Sequence, residues 1–328
     1  MPVHNFEYAT PSRREQVSVL LNDGAAILAG GTDLLALMKD EVLTPRRLVN
    51  IKNIADLRGV TFTPGTGLRI GALTLMQDVA DNVNVIRNYP ALAEAVADAA
   101  SPQIRNMATM GGNLCQRPRC WYFRNGMGLL AMKDGKSLVL EGDNRYHAIL
   151  GNAGPAYFVS PSTVAPMLIA YGAKVRILGV KGHREIPIEK FYRIPQNENE
   201  REHELAPGDL VTEIIVPVAA DVKGGAYEVR QKEAFDWPLA TASVALTMSG
   251  NTVKSARIVM GHVAPVPWLS NEAAQALQGK SISEETAEAA GAAAVANAKP
   301  LSKNAYKVKL ARVAVKRAIM KAAGMKVS

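Results

Sequence analysis

Residues 108–124, ATMGGNLCQRPRCWYFR, concentrate residue types that could do chemistry: a Gly-Gly pair, both cysteines of the chain and three aromatic residues. Cys115 and Cys120 could ligate a metal ion, because thiolates are common ligands of zinc and of iron–sulfur clusters. The glycines could instead form a turn whose backbone N–H groups meet a phosphate, because no Cβ blocks its approach. The stretch therefore indicates either a metal site or a phosphate-binding turn.

A second Gly-Gly pair lies in LAGGTDLL, residues 28–35, at a predicted change from strand to helix. Thr32 follows this pair and Thr109 precedes the other, in TMGGNL, so each turn has a hydroxyl donor beside it. Converging N–H groups of this kind bind nucleotide pyrophosphates. Neither segment has the GxGxxG pattern of a Rossmann site or the GK[ST] ending of a P-loop, which argues against both classes. Two such turns favour a shared anionic ligand, and a purely structural role stays open.

The composition predicts an ordered protein of two or three domains. The chain has 328 residues, of which 48% are hydrophobic and 21% charged. No apolar run reaches the roughly 18–20 residues of a membrane span, and the first residues lack the basic-then-apolar order of a signal peptide. Two cysteines make no disulfide framework, so a reducing compartment is expected. We therefore expect a cytoplasmic protein, with export beside a signal-bearing partner as the alternative.

The net charge of +8 makes nucleic acid a partner to consider, but the surplus of Lys and Arg lies largely in residues 303–328. There the basic residues interleave with apolar ones at helical spacing, which predicts an amphipathic helix with a solvated basic face. Docking of that face on an acidic partner subunit is the alternative. Zinc spacings and RNA-binding aromatic signatures are missing from the sequence, so nucleic-acid binding is not expected.

Hydrophobic periodicity predicts strands and helices in an α+β arrangement, with helices gathered on one side of the strands. Strands are predicted over 25–28, 46–54, 67–76, 209–218, 224–234 and in a hairpin over 240–263, and helices over 32–40, 89–101, 271–277, 284–298 and 303–328. Residues 116–155 are weakly periodic and indicate a long excursion, which in a compact domain usually has a function. The polar stretch 191–209 is the expected boundary region.

The segments LAGGTDLLALMK and SPQIRNMATMGGNLCQ closely resemble the FAD-binding medium subunit of the molybdenum hydroxylases, the family of xanthine, carbon monoxide and aldehyde dehydrogenases. The resemblance covers nearly the whole chain, and RCWYFRNG with EGDNRYHAILGN is similar to the bacterial aldehyde-oxidoreductase branch. It implies a PCMH-type FAD-binding domain over 1–178, with parts of about 1–57 and 58–178. A C-terminal domain of the CO dehydrogenase flavoprotein type, an antiparallel sheet with helices, is expected over 185–325.

The resemblance also implies which residues hold FAD. One side of the pyrophosphate is expected to contact Ala29, Gly30, Gly31, Thr32, Asp33 and Leu34, the other side Thr109, Gly111, Gly112 and Asn113, and Ser101, Gln103 and Ile104 are expected along the cofactor. Arg230, in VRQKEAFDWPLA, occupies the place of a basic residue near the isoalloxazine, with Lys232 as the alternative. The backbone of Leu210 and Val211 is expected near the flavin ring. Relatives commonly have an aspartate where this chain has Thr163, whose hydroxyl replaces one hydrogen bond but not the charge.

The same resemblance bears on the cysteines. Some relatives carry an additional [4Fe–4S] cluster after GGNL, and NLCQRPRC is similar to its opening, but such a cluster needs four thiolates and the chain has two. Cys115, Cys120 and His147 would leave a zinc ion without an evident fourth ligand. We therefore expect no metal here, and a packed remnant of the excursion. The segment Trp121–Tyr122–Phe123 either stacks on the cofactor, or anchors the excursion or faces a partner. His183 and His203 are expected in solvent, and His262 in a structural or subunit contact.

No nucleophile–base pair or carboxylate dyad stands at motif spacing, which suits a chain that positions a redox cofactor. The resemblance implies an FAD subunit of a heterotrimeric hydroxylase, with a large molybdopterin subunit and a small subunit holding two [2Fe–2S] clusters. This chain would take electrons from the clusters and pass them to an external acceptor, for example NAD⁺, a quinone or oxygen. The alternatives are a self-contained FAD oxidase or dehydrogenase of the PCMH superfamily and a non-redox scaffold.

Overall fold

The N-terminal part of the chain forms a small parallel sheet of three strands. A computed structural model describes residues 4–21, 24–232 and 235–327. The elements in this part are β1 (Glu7–Ala9), α1 (Val17–Leu20), β2 (Ala25–Leu28), α2 (Leu34–Lys39) and β3 (Arg47–Asn50), with 3₁₀ turns at Arg14–Gln16 and Ala55–Leu57. The strand order is β1-β3-β2, and both pairings are parallel. Helix α2 is therefore the crossover between β2 and β3, and the first diglycine segment lies between β2 and α2.

The second part is a five-stranded antiparallel sheet with helices packed against it. Its elements up to the long excursion are β4 (Val60–Thr63), β5 (Gly67–Gly71), α3 (Met76–Ala80), α4 (Val83–Asn88), α5 (Pro90–Ala97), α6 (Pro102–Arg105) and α7 (Met110–Leu114). The excursion contributes α8 (Trp121–Arg124), β6 (Met132–Lys133), β7 (Lys136–Ser137) and α9 (Leu138–Glu141). After it come α10 (Ala165–Ala170), β8 (Lys174–Gly179), β9 (Gly182–Pro187), α11 (Ile188–Phe191) and β10 (Leu210–Val216).

The strand order in this sheet is β4-β5-β10-β8-β9, so β10 lies at its centre, between β5 and β8. The sequence predicts that the first domain ends at residue 178 and that 185–325 form one C-terminal unit. In the structure, β9 and β10 follow residue 178 but belong to the sheet of the second part, so the boundary differs from that expectation. The physical reason is that the apolar pattern of β10 specifies a buried strand but not its partners. Pairing with β5 joins residues about 145 positions apart, which no local signal encodes.

The C-terminal part is an antiparallel sheet with helices on one side, which confirms the predicted α+β class. Its elements are β11 (Val222–Val229), β12 (Ala240–Ser249), β13 (Thr252–Gly261), β14 (Trp268–Leu269), α12 (Asn271–Leu277), α13 (Glu284–Ala294) and α14 (Tyr306–Ala322). The strands follow in chain order, and β12 and β13 form the predicted hairpin at Ser249–Thr252. Among the described ranges, none of the helices combines the length and apolar character that crossing a membrane requires.

Helix α14 packs on β11 and β12 through a stripe of small residues. Ala311, Ala314, Ala318 and Ala322 are buried at spacings of three and four residues, which places them on one helix face. A methyl group on Gly225 of β11 would overlap the carbonyl oxygen of Ala318, so glycine is what permits this close approach. The predicted terminal helix is thus confirmed. It is amphipathic, but its inner face carries one buried lysine, Lys307.

Strand β11 also connects the two large parts of the protein. A methyl group on Gly224 would lie 2.7 Å from the Cβ of Ala91 in α5, on the side of the five-stranded sheet. The apolar clusters of the two sheets meet around this strand. This contact packs the start of β11 against the second part of the chain.

Candidate functional site

A cavity of about 1290 Å³ opens where the three parts meet. Its volume exceeds the range of about 300–1,000 Å³ that is usual for sites of drug-sized ligands. Of the seventeen residues predicted to contact FAD, fifteen line this cavity: Ala29, Gly30, Gly31, Thr32, Asp33, Leu34, Ser101, Ile104, Thr109, Gly111, Gly112, Asn113, Thr163, Leu210 and Val211. Gln103 and Arg230 do not line it. The structure therefore brings most of the predicted residues together, and their contact with a cofactor stays a prediction.

The first diglycine segment is pressed against the residues that precede the second. A methyl group on Gly30 would overlap the backbone carbonyl oxygen of Met107, two residues before Thr109. Gly31 has a φ of +76°, a backbone conformation that side chains other than glycine rarely adopt. Glycine is thus required at both positions for different reasons: one permits the contact between the segments, the other the turn.

The second diglycine pair lies inside the first turn of α7. Thr109 is the N-cap of this helix, and its Oγ1 accepts a hydrogen bond from the backbone N–H of Gly112 at 3.1 Å. A methyl group on Gly111 would come 2.8 Å from the Cβ of Ala72, whereas at Gly112 only Thr109 Oγ1 lies within 4 Å. Gly111 therefore serves packing, and Gly112 keeps the cavity wall open at the helix start.

Asp33 is the centre of an arginine cluster. It occupies the N-cap position of α2 but makes no capping hydrogen bond with its side chain. Its Oδ2 accepts from the backbone N–H of Arg117 at 2.8 Å, and its Oδ1 lies 2.7 Å from Nη2 of Arg124 and 2.9 Å from Nη1 of Arg119. Burial lowers the pKa of Arg119 to about 10, against the pull of Asp33, so it remains a cation at neutral pH. These contacts attach the start of the excursion to the first diglycine segment.

Thr163 lies just before α10 with its hydroxyl buried in the cavity wall. Its Oγ1 has no hydrogen-bond partner among the described residues, and the residue is 8% exposed. The neighbouring Ser162 donates to Asn113 Oδ1 at 2.6 Å and accepts from the backbone N–H of Ala165. A buried hydroxyl without a partner is costly in a folded protein. Thr163 is therefore one residue of this wall whose hydroxyl a bound ligand would satisfy.

Glu228, at the end of β11, lines the cavity, and Arg230 lies behind it. Arg230 Nη2 is 2.8 Å from Glu228 Oε2 and donates to the backbone carbonyl of Asp98 at 3.2 Å. Burial raises the pKa of Glu228 to about 7, Arg230 opposes this rise, and Asp98 adds to it. The basic residue predicted beside the flavin thus reaches the cavity wall through a carboxylate, and the alternative, Lys232, does not line the cavity.

The polar stretch predicted as a domain boundary instead crosses one side of the cavity. Arg117 Nε lies 2.8 Å from Glu202 Oε1, in a pair with 9% of each side chain exposed. His203 was expected in solvent, but this is wrong: it is 9% exposed and stacks on Phe191, with ring centroids 5.4 Å apart. Burial lowers the pKa of His203 to about 4. The local pattern is polar because this stretch lines the cavity, which the sequence does not reveal.

The aromatic residues after Cys120 anchor the excursion. Phe123 is buried in an apolar cluster with Leu37, and Trp121 contacts the rings of Tyr146 and His147. These three aromatic side chains do not line the cavity, which favours anchoring over stacking on a cofactor.

The two cysteines have different surroundings. Cys120 Sγ lies 3.1 Å from His147 Nε2. Burial raises the pKa of Cys115, which lines the cavity, to about 12. Within the part of the chain that the structure describes, no three side chains of His, Cys, Asp or Glu are grouped to hold a metal ion.

Sequence reasoning missed several residues of the cavity wall. Arg117 and Arg119 stand in the RPR between the two cysteines. Trp237 follows β11, and its ring lies 4.8 Å from the guanidinium carbon of Arg119. An arginine pair beside a glycine turn is a signal for an anionic ligand that sequence analysis could have used.

Two family models together match most of the chain. The FAD binding domain in molybdopterin dehydrogenase matches residues 4–219, and the CO dehydrogenase flavoprotein C-terminal domain matches residues 225–322. The first match ends after β10 and the second begins within β11, so the junction falls where the five-stranded sheet ends and the C-terminal sheet begins.

Curated relatives and solved structures are similar along the full length. The aldehyde oxidoreductase FAD-binding subunit PaoB of Escherichia coli (strain K12) is 32% identical over 95% of this chain and 96% of its own. The carbon monoxide dehydrogenase medium chain of Hydrogenophaga pseudoflava is 32% identical over 96% of each chain. A solved structure of carbon monoxide dehydrogenase from the same organism, lacking the Mo-pyranopterin moiety of the molybdenum cofactor, matches with a TM-score of 0.78 and 29% identity over 99% of both chains.

Proposed function

Because the chain belongs to the family of FAD-binding domains of molybdopterin dehydrogenases, we propose that it is the electron-transferring FAD subunit of a heterotrimeric molybdenum hydroxylase. The resemblance inferred from the sequence is confirmed at the level of the family, and the chain is a flavoprotein oxidoreductase subunit. The finer role includes a large molybdopterin subunit, a small subunit with [2Fe–2S] clusters and an external electron acceptor. The names of the relatives, an FAD-binding subunit and a medium chain, support such an assembly.

The observation that carries the proposal is the meeting of both diglycine segments in one cavity. The N–H groups of residues 30–32 would hold the pyrophosphate, and the second diglycine pair would let it approach the start of α7, since glycine places no side chain in the way. The unpartnered hydroxyl of Thr163 would bind a further oxygen of the cofactor. The residues present therefore fit FAD, although the aspartate common in relatives is replaced by Thr163.

When bound, FAD supplies the redox chemistry, and the chain's residues position it and tune its surroundings. Leu210 and Val211 are buried and exclude water from their side of the cavity. Glu228, with a pKa of about 7, can hold or release a proton at its carboxylate near neutral pH. Arg230 keeps that carboxylate in place through their ion pair. The chain thus offers an apolar wall at Leu210 and Val211 and, at Glu228, a group that titrates near neutral pH.

The compartment is a part of this proposal. Both cysteines are free, with partly exposed positions in the fold, which supports a reducing compartment such as the cytoplasm.

The proposal is tested by assembling the chain with large and small subunits and adding an aldehyde or N-heterocycle without oxygen. We expect excess substrate to bleach the flavin absorption of the complex, and not when the small subunit is left out. As a control, the chain alone with FAD receives the same substrates and alcohols. Bleaching of the isolated chain would contradict an electron-transfer role and favour a self-contained dehydrogenase.

A further inference from the structure

The arginines of segment 193–204, together with Arg117, pair with carboxylates of the same segment. Three guanidinium groups face three carboxylates there, in ion pairs of 2.8–3.7 Å formed by Arg117, Arg193 and Arg201 with Glu200, Glu202 and Glu204. These arginines are neutralised by the protein itself. They leave little net charge for a ligand.

The cluster at Asp33 is not balanced. Arg119 and Arg124 share one oxygen, Oδ1 of Asp33, so two cations face one carboxylate. Arg124 also donates hydrogen bonds to the backbone carbonyls of Pro118 and Arg117. The surplus positive charge lies directly beside Gly30, Gly31 and Thr32, which precede Asp33 in the chain.

Arg119 is the member of this pair that lines the cavity. Its Nη1 is held by Asp33 at 2.9 Å and its Nη2 donates to Gln116 Oε1 at 3.2 Å. Its Nε is buried and has no hydrogen-bond partner among the described residues. The ring of Trp237, from the segment between β11 and β12, covers the guanidinium at 4.8 Å. Contacts with Asp33, Gln116 and Trp237 therefore fix the guanidinium and use two of its five N–H donors.

We propose that Arg119 binds an oxygen of the diphosphate of the dinucleotide through the N–H groups of its guanidinium, with Asp33, Gln116 and Trp237 as its positioning residues. The inference rests on the proposed function, and it adds a charged contact to backbone segments that otherwise offer only N–H groups. A guanidinium bound to phosphate forms charge-assisted hydrogen bonds, which are stronger than neutral ones. The diphosphate supplies the negative charge that the cluster at Asp33 lacks.

A different role is available to the same residue. Arg119 bridges Asp33 in the first part of the chain and Trp237 beside the C-terminal sheet, so it could act only as a clasp between them. A clasp would affect every ligand of the cavity and the stability of the protein. A phosphate contact affects only ligands that carry phosphate.

The experiment compares Arg119→Gln with the wild-type full chain in titrations with FAD and with riboflavin, which has no phosphate. We expect Arg119→Gln to weaken FAD binding by roughly tenfold to a hundredfold, as loss of a hydrogen bond to a charged group does, and to leave riboflavin binding unchanged. The FAD affinity of the variant should also depend less on salt. Arg119→Lys, which keeps the charge, should fall between the two. Arg145→Gln is the control, because Arg145 lies in the same excursion but pairs with Asp143 away from the cavity.

Equal FAD affinity of Arg119→Gln and wild type would overturn the role of Arg119 and leave the proposed function standing. A parallel loss of FAD and riboflavin binding would also overturn it, in favour of a clasp. A folded wild-type chain that binds neither flavin would overturn the proposed function together with this inference.

Discussion

Arg117 and Glu202, 85 positions apart, form an ion pair of 2.8 Å in which 9% of each side chain is exposed. The pair joins the excursion to the segment that crosses the cavity. Removing one partner of a buried pair leaves a charge without compensation. We expect Glu202→Gln to lower the free energy of unfolding by about 3–5 kcal/mol, measured by urea denaturation. Glu185→Gln, which breaks the more exposed pair with Arg176, should cost less than about 1 kcal/mol. Equal losses of unfolding free energy in the two variants would contradict a larger contribution of the buried pair to stability.

A substitution of Thr163 should weaken FAD binding without lowering the stability of the protein. Its hydroxyl is buried without a partner, so Thr163→Val should leave the free energy of unfolding unchanged or higher, because an isosteric methyl group replaces an unsatisfied group. FAD binding should weaken by roughly twofold to tenfold, the cost of one neutral hydrogen bond. Thr241→Val is the matched control: that hydroxyl is also buried and unpartnered, but Thr241 does not line the cavity. A weaker FAD affinity in both variants would argue against a direct contact.

Lys307 holds the start of α14 to the rest of the protein. Its Nζ donates to the backbone carbonyls of Tyr146, His147 and His262, and the residue is 1% exposed. In Lys307→Met these carbonyls lose a buried donor, so we expect the free energy of unfolding to fall by about 2–5 kcal/mol. Lys309→Met, at an exposed position of the same helix, should change it by less than about 0.5 kcal/mol. Thermal and chemical denaturation of both variants provide the comparison, and a stable Lys307→Met protein would refute the structural role.

The burial of His203 makes the stability of the protein depend on pH. Burial, with Arg201 adding to it, lowers the pKa of His203 to about 4 from the usual value near 6.5. Between these values the unfolded state binds more protons, so stability is lost as the pH falls from about 6.5 to about 4. His203→Phe keeps the stacking on Phe191, and we expect it to reduce the stability lost between about pH 7 and 4.5 by about 2–3 kcal/mol.

Chemical denaturation at a series of pH values measures this effect. Replacement of the exposed His183 by Phe should leave the pH dependence as it is in the wild type. An identical pH dependence of His203→Phe and wild type would contradict the effect of burial on His203.

The elements with strong local periodicity were predictable from the sequence. Strand β2, the hairpin of β12 and β13, and helix α14 form where their patterns place them, because each pattern reflects one buried face. The central place of β10 between β5 and β8 was not predictable, since pairing with β5 depends on contacts about 145 positions apart. Lys307 was placed on a solvated basic face, but the three carbonyls that surround it come from other elements.

The residues that line the cavity were predictable only where a local sequence pattern marks them. The diglycine segments stand out because a turn needs glycine at fixed positions, as Gly31 shows by its positive φ. The role of Asp33 could not be read in the same way: next to a helix start it has the pattern of a cap, but arginines 84 to 91 positions away bind its carboxylate. Charge clusters assembled by the fold carry no local signature.

The most direct test of the central claim, that the two diglycine segments hold FAD in one cavity, is an equilibrium titration of the purified full chain with FAD after removal of bound flavin. We expect one FAD to bind per chain, with quenched flavin fluorescence and a higher melting temperature, since a ligand of the folded state stabilises it. A well-folded chain that neither binds FAD nor gains thermal stability in excess FAD would contradict the claim.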